Sequence, residues 1–267
     1  MLVTSLAVTT ALLYMIASGI QLVHIVQHRP QLDRKVLALG LAALTGQAIV
    51  AWNGVLIGDF IALGFYRVPA LIFLVVNIAC FVGLLRRPLQ NLIVVLFPLS
   101  ALSVLVSAFG PETAAAEKQI PPGVVIHIGS SILAYSVLTL AAFQAILVAI
   151  QDHQLKSRRT RGIIEFLPPL QLMETMLFEL LWIGVVLLTL SIGSGVIFLD
   201  DIFAQQLVHK TVLTIIAWAL FSTLLWGHSQ KGWRSQTAVR LTLGGFALLM
   251  LAYFGSKLVL ELVLQTP

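Results

Sequence analysis

Charge is scarce in this chain. Asp, Glu, Lys and Arg make up 10% of its 267 residues, against about a quarter in soluble domains. With 59% hydrophobic residues and a mean hydropathy of +0.99, that scarcity excludes a soluble globular domain. Cysteine is almost absent: Cys80, inside an apolar run, is the single one. An internal disulfide, a thiolate zinc site and a Cys-ligated iron–sulfur centre are therefore excluded, and Cys80 reads as a packing residue. No P-loop, nucleophile elbow or HExxH motif occurs. No carboxylate stands at the centre of an apolar run, which argues against a proton-coupled pump. No basic residue precedes the first apolar stretch, MLVTSLAVTTALLYMIASGI, where a secretory signal needs a positive leader. That stretch is read as a retained first helix entering with its N-terminus outside.

What is present is a succession of apolar runs, each near the 20 residues or so that cross a bilayer. Eight helices fit, at 4–27, 36–54, 67–85, 90–109, 124–150, 175–198, 207–228 and 238–261. The expected fold is therefore all-α, a polytopic transmembrane bundle forming one integral membrane domain over residues 1–267, with membrane lipid as its solvent. The net charge of +5 is no sign of a nucleic-acid partner, because its distribution follows the loops. Basic residues cluster at Arg29/Arg34/Lys35, Arg86/Arg87, Lys156/Arg158/Arg159/Arg161 and Lys231/Arg234/Arg240. Loops between these clusters are neutral or acidic, so the basic ones are expected inside and both termini outside. Only Arg67, Lys118, Lys210 and Lys257 fall at or near the outer face.

Several connecting segments carry their own signals. The outer loop GPETAAAEKQIPPG has a surface connector's Pro and Gly content. The segment VLIGDFIALGF, between helices two and three, is too short to span and is expected at the outer interface or re-entrant. IIEFLPPLQLMETM reads as an interfacial lead-in to helix six, broken at Pro168-Pro169. Asn77 and Gln47 read as isolated polar groups serving as interhelical hydrogen-bond partners. Trp52, Trp182, Trp226 and Trp233 sit near span ends, as an aromatic belt places them.

Six histidines are present. His24 and His28 share one helix face and, with no carboxylate near on that face, are read as headgroup-facing. His153 and His228 belong to basic inner loops and are read as solvated. His127 and His209 differ. Each lies about a turn inside a helix that enters from outside, so their depths match within a few Å at about 1.5 Å rise per residue. Two readings stand: a pair of water-satisfied interfacial histidines, or two axial ligands to one haem iron. Arg67, Lys210 and Lys257 are the cations placed to meet haem propionates; each also reads as a snorkelling residue at a helix end. Lys257 and Glu261, four apart, pair as neighbours on one helix face. Asp200 and Asp201 form too small a set for a magnesium site. Without inverted repeats or polar mid-span clusters, a solute transporter is disfavoured.

The stretch from His209 to Leu260 resembles the last two helices of the CcsA/CcmC-type cytochrome c assembly protein family. The residues that carry the likeness are His209-Lys210, Trp218, Gly232-Trp233-Arg234, Gly245-Phe246 and Tyr253-Phe254-Gly255. IHIGSSILAYSVLTLAAF, with His127 and Tyr135, and the pattern Leu177–Phe198, with Glu174 upstream, agree. Residues 124–260 carry the resemblance well, and it is closest to the YpjD/HemX-like branch of inner-membrane proteins. The resemblance implies a protein of the bacterial cytoplasmic membrane that handles haem at the outer face, with His127 as the histidine opening a span. Two departures stand out. KLVLELVLQTP lacks the histidine that follows the family's last helix, and FLDDIFAQQLV lacks its tryptophans. What the likeness then implies is a scaffold holding haem b between His127 and His209, with no catalytic turnover of its own. The alternative is a regulatory scaffold without haem, contacting a membrane or cytoplasmic protein of haem or cytochrome biogenesis through basic loops 151–161 and 228–240.

Overall fold

The computed structural model describes residues 2–27, 33–57, 60–61, 64–85, 87–111, 117–118, 121–157, 167–198 and 208–255. Among the described residues eight helices form: α1 (Leu2–Val26), α2 (Arg34–Val55), α3 (Val68–Leu84), α4 (Gln90–Phe109), α5 (Pro122–Lys156), α6 (Leu170–Phe198), α7 (Val208–Lys231) and α8 (Ser235–Met250). A π turn, Leu251–Gly255, continues α8. All eight expected helices are present. Seven are long and apolar enough to cross a membrane, counting α8 with its π turn; α3, at 17 residues, is the short one. The chain is a multi-pass membrane protein.

The largest differences from expectation are at two helix ends, while α7 runs three residues further, to Lys231, and α8 begins three earlier, at Ser235. Helix α5 runs to Lys156 instead of Ile150, so His153 sits on its last turn and not in a loop. Helix α6 begins at Leu170, directly after Pro168-Pro169, so QLMETM is helix and not a lead-in. The segment after α2 is extended where it is described. Its strands β1 (Leu56–Ile57) and β2 (Phe60–Ile61) pair antiparallel, Leu56 opposite Ile61. A third strand, β3 (Glu117–Lys118), pairs with β2, Phe60 opposite Lys118. Two loops predicted on the same side thus share one ladder.

The helices cluster in two compact units, Met1–Ile120 and Pro121–Gln265. In the first, α1 packs along α4 and α2, and α3 along α4. Small residues allow the approach: Gly46 lies against the Thr10 side chain, and Gly40 against the rings of Phe97 and Phe81. Tyr14 packs on Phe97 at 5.0 Å between ring centroids. At the centre is a buried polar knot with a member from every helix. The Tyr14 hydroxyl donates to Gln47 Oε1 (2.6 Å), and Gln47 Nε2 to the Ala70 carbonyl (2.9 Å). Asn77 Nδ2 lies within bonding distance of Tyr14 Oη, Gln47 Oε1 and Ser100 Oγ. Asn77 and Gln47 are interhelical partners as expected, but they are not isolated: they share one network.

A proline creates the next requirement. Pro98 lies inside α4 and has no N–H to give the carbonyl four residues back. That carbonyl is Val94, and the Ser18 hydroxyl of α1 donates to it at 3.0 Å. A neighbouring helix thus fills the acceptor that the proline left open.

In the second unit, α5 packs along α6 and α8, and α7 along α8 and α6, so α5 and α7 stand across from each other. Helix α5 is buried on all sides from Ala134 to Ala142, which marks it as the core helix. Its antiparallel seam with α6 alternates apolar and polar rungs. Leu138 fills the space over Gly184. Gln144 Nε2 donates to the Met173 carbonyl (3.1 Å) and Gln151 Nε2 to that of Pro168 (2.9 Å). The second bond ties the long end of α5 to the start of α6.

Ser18→Ala should destabilise the first unit by about 1 kcal/mol, the scale of one interhelical bond in a membrane. In a Pro98→Ala background, where residue 98 regains its N–H, that cost should largely vanish. Unfolding titrations of the four proteins in a double-mutant cycle measure this; equal costs in both backgrounds would contradict the assignment.

Candidate functional site

The site begins where α5 does. Pro121-Pro122 opens the helix, with a proline at its first turn, where the missing N–H has no partner to lose. Gly123 leaves room for the Phe198 ring, which lies against it. His127 follows little more than one turn later and is half-buried. Its Nδ1 lies 2.8 Å from the Ser191 carbonyl oxygen. A carbonyl can only accept, so Nδ1 carries the proton and the neutral ring keeps its lone pair on Nε2. A backbone partner on one ring nitrogen is the usual way a metal-binding imidazole is oriented.

Hydroxyls surround that bond. Ser131, one turn on, donates to the His127 carbonyl (2.7 Å), and its oxygen lies 2.6 Å from Ser191 Oγ. Tyr135, a turn further, donates to the Leu249 carbonyl (3.0 Å), two residues before the π turn begins. Its ring meets that of Tyr253 at 5.8 Å between centroids. The Lys210 ammonium lies 5.3 Å from the Tyr253 centroid, within reach of the ring's negative face. Tyr135 of α5 is thus connected to Lys210 of α7 through the Tyr253 ring of the π turn, two helical turns along α5 from His127.

His209 is exposed and, among the described residues, joins none of these contacts. Successive helical residues differ by about 100° around the axis, and on α7 it is Lys210 that faces the Tyr253 ring. Arg67 lies in the first unit, on the turn before α3, and its N–H donates to the Gly64 carbonyl (3.1 Å). Lys257, Glu261, Asp200, Asp201, His28, Arg29 and Arg158 to Arg161 lie outside the described residues. His24 does have a carboxylate near it, contrary to expectation: Asp33, at 3.8 Å. No group of three or more His, Cys, Asp or Glu side chains among the described residues is arranged to hold a metal ion. A haem iron asks the protein for only two axial ligands. Ser131 and Ser191 carry only a faint sequence signal: a hydroxyl one turn after His127, and a second in the facing helix.

Comparison with known proteins gives a consistent answer. A family described as cytochrome C assembly protein matches residues 65–264. The chain is 34% identical over 172 residues to "Inner membrane protein YpjD" of Escherichia coli K12, and equally to that of Escherichia coli O157:H7, covering 64% of this chain and 65% of each relative. It is also 34% identical over 147 residues to the "Uncharacterized 28.8 kDa protein in nifR3-like 5'region" of Azospirillum brasilense, over 54% of each chain. The matched stretches thus span less than two thirds of these relatives' own length. No solved structure matches.

Tyr135→Phe should leave the helices in place but free the Leu249 carbonyl, at a cost of about 1 kcal/mol. Amide exchange should quicken over residues 249–255 while the α5–α6 seam stays protected. Unchanged exchange there would show that the hydroxyl does not hold the π turn.

Proposed function

This chain belongs to the cytochrome c assembly protein family, as a multi-pass inner-membrane protein, and from that premise we propose that it binds haem b where α5 begins. His127 would hold the haem iron through Nε2. The single observation that carries this reading is the bond from Nδ1 to the Ser191 carbonyl, which orients the ring and leaves the other nitrogen able to bind iron. His209, exposed on the first turn of α7, is the second ligand; no described contact must break for it to turn. Lys210 of the same unit, and Lys257 beyond the described residues, are the cations that would meet propionates, in the manner of charge-assisted bonds to carboxylates. Bound haem would supply a redox-active iron. The protein's own part is to orient an imidazole, offer cations and hold the group at the membrane surface, with no turnover of its own. A role in haem or cytochrome biogenesis follows from the family.

Absorbance of the purified protein after haem addition tests this. The wild type should show a Soret band that is lost in His127→Ala and shifted or weakened in His209→Ala, with both variants eluting as the wild type does. A wild type without a Soret band even in excess haem would sink the reading. Retention of the band in His127→Ala would move the ligand elsewhere.

A further inference from the structure

The end of the second unit remote from His127 carries a cavity of about 270 Å³ whose lining includes Glu174, Phe178, Glu179 and Trp182 of α6, His228 of α7, and Arg234. Its walls are well held. The His228 ring lies flat on Phe178, centroids 3.5 Å apart and planes 15° apart, and its Nδ1 donates to the Trp233 carbonyl at 2.8 Å. His228 is therefore a packed wall residue, not merely a solvated one. The connection from α7 to α8 turns through two left-handed residues, Gly232 (φ +67) and Ser235 (φ +47). Ser235 has a Cβ and adopts that conformation at a cost of about 1–2 kcal/mol. Two carboxylates offset it: Ser235 N–H donates to Glu174 Oε1 (2.9 Å), and its hydroxyl to Asp152 Oδ1 (3.1 Å). Gly227 accommodates the Trp233 ring. The strained turn is thereby pinned, and it sets Arg234 at the cavity's edge.

Depth identifies the surroundings. From Leu180 to Phe198 α6 has no charged residue, a length of about 28 Å at 1.5 Å per residue, close to the hydrocarbon thickness of roughly 30 Å. Glu179 thus sits at headgroup level, and Trp182 one turn inside it, 55% exposed, where an interfacial tryptophan belongs. Beyond Trp182, Val186 and Leu190 continue the same helix face and are 52% and 57% exposed. The cavity therefore combines two carboxylates and a guanidinium at headgroup level with an uncovered apolar track of about 12 Å on the same helix, most of one leaflet's depth. Its volume lies below the roughly 300–1,000 Å³ of pockets for drug-sized ligands, which suits a headgroup.

We propose that this cavity binds the headgroup of an amine-bearing zwitterionic phospholipid, phosphatidylethanolamine. The ammonium donates to the Glu179 and Glu174 carboxylates, the phosphate meets Arg234, and an acyl chain lies along Trp182, Val186 and Leu190. Phosphatidylcholine has the charge but no N–H to donate; phosphatidylglycerol has no cation. The site is independent of the haem reading, since it shares no residue with it.

Native mass spectrometry of the full-length protein in detergent tests this, with equal amounts of phosphatidylethanolamine, its N-methyl and N,N-dimethyl forms, phosphatidylcholine and phosphatidylglycerol. Retention should fall stepwise as N–H groups are replaced, with phosphatidylethanolamine held at least fivefold over the last two. Glu179→Gln should lower it to the phosphatidylcholine level, Glu179→Asp should restore part, and Lys231→Gln, outside the cavity, should change nothing. The methylation series needs no variant and decides the matter even if Glu179→Gln fails to fold. Equal retention across the series would overturn the proposal. So would displacement of the lipid by soluble O-phosphoethanolamine at lipid-equivalent concentration, which would make the ligand a soluble amine phosphate.

Discussion

Inside a bilayer a polar group must find its partner within the protein, and the interior of this molecule is arranged around that requirement. An unpaired backbone carbonyl has no water to turn to, so each irregularity in a helix calls for a specific side chain from a neighbour. Pro98 removes one N–H from α4, and Ser18 of α1 supplies the Val94 carbonyl. Where α8 passes into its π turn, Tyr135 of α5 supplies the Leu249 carbonyl. Such bonds specify register more than they stabilise, since each contributes only about 0.6 kcal/mol on average. Sliding α1 along α4 by one residue would separate Ser18 from Val94 and the four-helix polar knot from its centre together.

The same requirement explains what could and could not be read from the residues. Apolar run lengths and intervening basic loops located all eight helices, because bilayer thickness dictates both. They misjudge the C-terminal end of α5 and the N-terminal start of α6. A helix need not stop at the membrane surface: QDHQLK is a good helix former, and Gln151 binds the Pro168 carbonyl, so the helix persists into the polar zone. The two-residue strands were invisible because a ladder so short leaves no alternation, and its third strand lies far along the chain. Asn77 and Gln47 looked solitary because they are distant in sequence; only packing of α1 to α4 shows them bonded to each other.

The candidate site was legible by depth and illegible by phase. His127 stood out as an ionisable group within a span, and its partner turned out to be a backbone carbonyl, which no side-chain motif announces. His209 was matched to it by depth alone. Facing is set by rotation about the helix axis, and α7 is apolar over most of its circumference, so no polar stripe fixed which residue turns inward. Lys210 does, over Tyr253, while His209 is exposed. Tyr253 was noticed as part of a family-like stretch, and its place between Tyr135 and Lys210 gives that stretch a physical role.

Polarity in the second unit is distributed by what each level of the membrane can satisfy. Around His127 the companions are neutral hydroxyls and carbonyls, each saturating another at 2.6–3.1 Å. Among the described residues the charged group there is Lys210, whose ammonium lies over an aromatic face. At the opposite end, full carboxylates and a guanidinium line an open cavity, tolerable because headgroups and water reach it. Between the two ends the α5–α6 seam holds Leu138 over Gly184 and an uncharged amide, Gln144, on the Met173 carbonyl. At the His127 end it is the Ser191 carbonyl that fixes the orientation of the imidazole, the kind of backbone partner by which a metal-binding histidine is usually held.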